Sequence, residues 1–293
     1  MIYQAIQSMD DYVSTWSHTH DLRQVADSHP FACFPSMVMS MIQFEKLLLN
    51  SWSAEYALRI TPAVNDKQYL QSSLHWTFPQ AYYSILFSAR AFLAAKLWPD
   101  SNPDVVARRV GRLVAAGYYP QSLSYYTVGA GKRYKVNRLP PDQPLRVHLD
   151  YTRDRMLKQE IHRVQCNPKT ALRHPTTGAI SKTLTIDQLR CIARNLGHTS
   201  FFDVMTRLRI SSTDRDIERL YQEGEAFDVS LFHDYLLALV EHINSVHELY
   251  VLKAVGTEAY SDAVWKLPSY LRESFVNERF LKVLLPALAG VPA

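Results

Sequence analysis

The sequence predicts a mainly α protein: a multi-helix core with a basic, partly β insertion in the middle of the chain. Three observations carry that expectation. Apolar residues recur at three- and four-residue steps in both flanks. A central stretch alternates about a glycine-rich turn. Basic residues crowd into the same centre, where residues 101–175 hold 14 Lys and Arg against 5 Asp and Glu, although the whole chain carries only +4. The expected division is 1–100 as the N-terminal helical half, 101–184 as the basic insertion with its hairpin, and 185–293 as the C-terminal helical half.

In chain order, Met37, Met41, Phe44, Leu48 and Trp52 mark one helix face over 37–58, with Pro35 and Ser36 as its start signals. Residues 78–98 read FPQAYYSILFSARAFLAAKLW. Pro79 fits a first turn, and Tyr82, Leu86, Ala89 and Leu93 form one face. Tyr83, Phe87 and Phe92 widen that face, so the helix is expected in the core. Pro99 and Asp100 stop it. The stretch SYYTVGAGKRYKVNRLPPDQPLRVHLDY predicts a β-hairpin over 125–136 and, past the Pro140–Pro141 break, a third strand over 145–149. A short charged helix over 151–165 and a loop over 167–183 follow. IDQLRCIARNLG is helical and ends on Gly197 as its cap, and Ser200 with Asp203 forms a capping box for the next helix. The longest helical pattern spans 230–256, with Leu231, Tyr235, Leu239, Ile243, Val246 and Tyr250 on one side. PSYLRESFVNERFLKVLL reads as the last helix.

Composition removes several function classes. The 47% hydrophobic content over 293 residues suffices for a sizeable core. Cys33, Cys166 and Cys191 lie too far apart for a CxxC metal pair or a disulfide framework, which fits a reducing, cytoplasmic setting. MIYQAIQSMDDYV has neither the basic nor the apolar region of a signal peptide. Arg90 and Lys96 interrupt the longest apolar stretch, so no membrane span is expected. No Walker A, GxGxxG or GxSxG motif occurs. His242 and His247 are five apart, off the spacing of an HExxH pair, and His18 and His20 lack a third ligand, so neither metal nor cofactor is expected.

The central segment interleaves Arg108, Arg109, Arg112, Lys132, Arg133, Lys135, Arg138 and Arg146 with Tyr118, Tyr119, Tyr125, Tyr126, Tyr134 and Tyr151. Cations that neutralise phosphates beside rings on which bases stack are what a single-stranded nucleic-acid groove requires. Tyr126 and Tyr134 are the candidate stacking rings among the cations. The competing reading is a solvated surface over packed tyrosines, or a basic face that docks an acidic protein.

The helix pair at 37–58 and 78–98, the second reading AYYSILFSARAFL, resembles the HEPN superfamily and the related bacterial YaaC-like proteins over about sixty residues. The resemblance implies a four- or five-helix unit, often dimeric, in families where many members are metal-independent ribonucleases of toxin and phage-defence systems. It also implies a catalytic arginine and histidine separated by four to six residues. Arg155 and His162 have six between them, and Arg23 and His29 have five. A chain with this many arginines and histidines holds about two such pairs by chance. Arg155 and His162 are preferred because they share a helix face in the basic segment. There the histidine would move protons between the ribose 2′-hydroxyl and the leaving oxygen, and the arginine would stabilise the phosphorane.

Two other patterns touch residues 193–207. LGHTS resembles a fragment of the tyrosine recombinases, but Thr170 stands where the HxxR histidine belongs and Arg207 where the nucleophilic tyrosine belongs, which excludes it. Ala193 and Gly197 have the spacing of a helix-turn-helix, from which Thr199, Ser200 and Arg207 would reach DNA, although Asp203 occupies an apolar position. The expected function is nucleic-acid binding, RNA before DNA, in a bacterial defence or stress system; whether the chain is also a metal-independent ribonuclease, with Arg155 and His162 as its pair, is left open. The alternatives are a non-catalytic adaptor in a larger complex, with a protein partner or a homodimer, and a helix-turn-helix regulator.

Overall fold

The computed structural model describes residues 2–28, 41–64, 66–96, 98–130, 134–166, 173, 178, 184–212, 217–218 and 227–290. The fold is mainly α with a small three-stranded sheet. α1 (Ile2–Ser14) buries Ile2, Ala5, Ile6, Met9 and Val13 at helical spacing. α2 (His18–Asp27) starts on Ser17, whose side chain accepts from the His20 N–H. α3 (Met41–Ile60) follows and carries Phe44, Leu48 and Trp52 into the core, as the periodicity predicts. Pro35, Ser36 and Met37, read as the start of this helix, lie outside the described residues.

α4 (Lys67–Ser72) is capped by the Asp66 carboxylate. α5 (Leu74–Ala95) begins four residues before the expected Phe78 and keeps Pro79 in its interior. The Ser73 carbonyl accepts from the N–H groups of Trp76 and Thr77, and Leu74 and Phe78 are buried. Packing of that first turn outweighs the one hydrogen bond that proline removes. α3 and α5 interlock through Ser51 and Ser84, each hydroxyl donating to the other's carbonyl at 2.8 and 3.1 Å.

α6 (Pro103–Ala115) has Asn102 as N-cap and Pro103 at its first position. The hairpin stands where the alternation places it: β1 (Tyr126–Val128) pairs antiparallel with β2 (Lys135–Asn137), Thr127 opposite Val136. The third strand does not. Residues 145–149 open α7 (Leu145–Cys166), which absorbs the expected strand and the charged helix into one 22-residue element. Leu145, Leu149, Arg153 and Leu157 are buried at four-residue steps, a helical stripe that the local alternation of Arg146 and His148 hides. The third strand is instead β3 (Thr199–Ser200), on the other edge of β1 with Thr127 opposite Thr199.

α8 (Ile186–Leu196) begins with a Thr185–Gln188 capping box and ends on Gly197 at φ 77°, and α9 (Phe201–Ser211) has the expected Ser200–Asp203 box. α10 (Val229–Val255) runs from Asp228 to Gly256. Its burial departs from the expected single face: Leu231 is exposed, Phe232 and Leu236 are buried instead, and every residue from His242 to Leu252 is buried. A helix surrounded on all sides has no outward stripe to read. α11 (Thr257–Trp265) follows, and the expected last helix over 268–285 breaks into α12 (Ser269–Arg272), α13 (Phe275–Arg279), a π turn over Phe280–Leu284 and the start of α14 (Leu285–Ala289). Ser274 takes the N-cap position of a new start, its hydroxyl donating back to the Leu271 carbonyl at 2.6 Å, and Pro286 sits at the head of α14.

One hydrophobic core joins both flanks and the middle segment, since Val106, Val110, Tyr125, Leu145 and Leu149 belong to the same cluster as Phe92 and Leu249. A smaller cluster of Leu157, Ile192 and Ala193 holds α7 against α8. Polar groups also cross the core. Glu55 of α3 accepts from Asn244 Nδ2 at 2.8 Å and pairs with Arg279. The other Arg279 Nη meets Glu248 at 2.6 Å, and Tyr260 donates to Glu248 at 2.9 Å. Ser88 links Asn244 to His247, whose far nitrogen meets the Tyr119 hydroxyl at 2.8 Å. Burial holds His247 at a pKa of about 3, so it stays neutral as a hydrogen-bonding link.

Gly111 marks the tightest approach in the middle segment. A Cβ there would clash with the His198 carbonyl. Gly111→Ala is therefore expected to destabilise the protein by about 1–3 kcal/mol through overpacking. Urea unfolding with a lowered midpoint and unchanged slope checks it.

Candidate nucleic-acid interface

The structure sorts the basic residues by what their cations touch. Arg109 donates to the carbonyls of Trp98 and Pro99 at 2.6 and 3.2 Å and pairs with Asp100 at 3.3 Å, tying α6 to the loop after α5. Arg138 donates to the Val114 and Ala115 carbonyls at 3.0 and 3.1 Å, closing the C-terminal end of α6. Arg146 donates to the Leu139 carbonyl at 2.8 Å. These three are structural fasteners in part or in whole. Arg108 and Arg112 lie one turn apart on the exposed side of α6, and Lys135 is exposed on β2. Lys132 and Arg133 lie outside the described residues.

Among the rings, Tyr119 and Tyr125 are core residues, 2% and 0% exposed. Tyr134 donates to Asp154 at 3.1 Å, and burial, then that carboxylate, pushes its pKa up to about 12. Tyr126 is half-buried at the head of β1. Its ring meets His198 edge-on at 5.2 Å, with the Arg138 guanidinium over it at 5.7 Å. Burial lowers the His198 pKa, and Arg153 and then Arg112 add to the effect, so the imidazole is neutral at pH 7 while facing two cations. Arg112, His198, Tyr126 and Arg138 thus form one small surface where α6, β1 and the turn after α8 meet, continued along α6 by Arg108.

Arg153 positions this surface. It is fully buried, and it donates to Gly129 O at 3.2 Å, Gly197 O at 2.6 Å, Thr199 Oγ1 at 3.1 Å and Ala193 O at 2.8 Å. One side chain therefore fastens the end of α8 and the turn before β3 to the hairpin. Sequence reasoning missed Arg153, and it met His198 only inside LGHTS, not as a ring beside Tyr126. The signal for Arg153 was its place four residues from Leu149 and from Leu157 in the buried stripe of α7.

The paired catalytic candidates sit elsewhere on α7. Arg155 is half-buried and His162 exposed on one continuous helix, where seven residues rise about 10.5 Å. His162 Nε2 approaches Cys166 Sγ at 3.4 Å, one turn farther from Arg155. Of the second pair, Arg23 lies on α2 and His29 falls outside the described residues. Ser200 and Arg207, expected to reach DNA, are 0% and 4% exposed, and Arg207 donates to Thr152 at 3.1 Å. α9 is buried on most of its surface, so it presents neither of them to a groove.

Among the described residues no group of three His, Cys, Asp or Glu is placed to hold a metal ion, and no helix is long and apolar enough to cross a membrane. His18 and His242 meet each other at 2.7 Å between their Nδ1 atoms, with Ser122 at 2.9 Å on the far side of His242. No family model, curated protein or solved structure matches the chain.

Proposed function

We propose that the chain binds single-stranded nucleic acid, RNA before DNA, on the surface where α6, β1 and the turn at Gly197 and His198 meet. The observation that carries this reading is the Tyr126–His198 ring pair flanked by Arg112 and Arg138. Exposed Arg108 and Lys135 extend the cationic track beyond the rings. Cations neutralise successive phosphates, and a half-exposed ring offers a stacking face that tolerates any base. The neutral His198 adds a second ring and a hydrogen-bonding nitrogen without adding charge.

Binding does not require the Arg155–His162 pair, and cleavage there is the enzymatic extension of the same proposal. A setting in bacterial defence or stress rests on the HEPN resemblance of the α3–α5 pair alone. The alternative is a non-catalytic adaptor. It is favoured by Trp76 and Trp265, two large apolar side chains 72% and 63% exposed.

The test follows labelled single-stranded RNA and DNA with the purified chain in EDTA, reading retention and strand integrity together. The expected result is retention of RNA at low salt that weakens steeply as salt rises, with the RNA intact. Cleavage that survives EDTA and disappears in His162→Ala would establish the enzyme. Failure to retain either strand at low salt would overturn the proposal and leave the adaptor.

A further inference from the structure

A second polar feature lies away from the basic surface. A cleft of about 610 Å³ opens between α2 and the segment 117–121, with Tyr250 of α10 at its side. Its size falls in the range of small-molecule sites. Arg23 lines it, and two of the three guanidinium nitrogens, Nε and one Nη, are buried with no hydrogen-bond partner. The contrast with the neighbouring cation is sharp. Lys253 Nζ has the carbonyls of Val25, Ala26 and Ser28 at 2.8, 2.7 and 3.0 Å. Buried guanidinium N–H groups are costly without acceptors, and a native fold rarely keeps them so without a use.

The rest of the cleft suits more than a bare ion. Tyr118 lines it too, and Lys96, which is not among the lining residues, sits over the Tyr118 ring at 3.6 Å from its centroid. The ring is therefore held by a cation on one face, in a residue that borders the cleft. Gln24 accepts from the Gln121 N–H through Oε1, which leaves its amide N–H groups to donate. The Asp27 carboxylate, exposed at the edge, can accept from hydroxyl or amino groups.

We infer that this cleft binds a phosphate monoester carried on a planar ring, in chemical class a nucleoside monophosphate, with Arg23 pairing the phosphate and Tyr118 supporting the ring. The inference stands apart from the basic surface and does not rest on the nucleic-acid reading.

Calorimetric titration of the full chain with adenosine 5′-monophosphate, adenosine and inorganic phosphate tests it. The monophosphate is expected to bind at least about tenfold more tightly than either fragment, because only it uses both halves of the cleft. Arg23→Gln is expected to weaken the monophosphate by about tenfold and leave adenosine unchanged. Gln121→Glu alters only an exposed side chain at the cleft and should weaken the monophosphate more at low salt than at high salt. It serves if Arg23→Gln fails to fold. Absence of monophosphate binding, equal affinity for inorganic phosphate, or affinity unchanged in these variants would overturn the inference. So would its loss in Arg112→Glu, which would move the ligand to the basic surface.

Discussion

Arg279→Met is expected to cost about 3–5 kcal/mol of stability, the typical loss when one partner of a buried charge pair is removed. Arg279 is 2% exposed and stands between Glu55 and Glu248, which are 0% and 1% exposed. Burial alone would raise the Glu55 pKa, but Arg279 and Arg59 more than offset it and hold the carboxyl below its ordinary value. Glu248 is raised by burial against the pull of Arg279. The sign of the pH dependence follows. In the native chain the depressed Glu55 contributes stability above its unfolded pKa, and this is lost as pH falls through the folded value. In Arg279→Met Glu248 loses its cation and Glu55 keeps only Arg59, so both carboxyls rise, and the variant loses least in acid, where they protonate, and most near neutral pH. Urea unfolding from pH 4 to 8 reads both curves. A deficit below about 1 kcal/mol at pH 7, or one that grows in acid, contradicts this account of the network.

Reversing Arg112 and Lys135 together to glutamate is expected to weaken single-stranded RNA binding by more than about tenfold at moderate salt. Both side chains are exposed. Loss of two phosphate contacts should lower the magnitude of the log affinity against log salt slope by about 1.4. Arg146→Met is the matched control. It removes a cation that holds the Leu139 carbonyl, so stability should fall by about 1 kcal/mol while the salt slope stays unchanged. Equal slopes in both variants would mean that the phosphates are not read at α6 and β2. Anisotropy titrations at three salt concentrations give the comparison.

Helix existence was read from apolar faces and local signals at α3, α5, α8, α9 and α10, but α1, α2 and α6 went unread, although α6 has an apolar face and the local Asn102 cap. Gly197 and the Ser200–Asp203 box are visible because each involves residues three or four apart. The start of α7 was not, because Pro144 and the alternation of Arg146 and His148 mimic a strand, and the stripe that makes it a helix extends to Leu157. The all-round burial of α10 depends on α1, α2, α3 and α5 packing against it, which no local pattern encodes. The breaks between α12, α13 and α14 are equally tertiary, since Arg279 must face inward to reach Glu55 and Glu248.

The candidate surface was legible as a concentration of charge and rings, but not as a list of contacts. Sequence cannot tell Arg112, open to solvent, from Arg138, which serves both the end of α6 and Tyr126. The ring partner of Tyr126 came from residue 198, which β3 pairing brings beside β1.

The most direct test of the proposed function is to irradiate the chain with bound single-stranded RNA and map the crosslinked residues by mass spectrometry. Adducts are expected on Tyr126 or His198, and they should disappear when Arg112 and Lys135 are reversed. Adducts confined to Trp76, Trp265 or the cleft beside Arg23, with none on Tyr126 or His198, would contradict the assignment of the nucleic-acid surface to α6, β1 and the turn after α8.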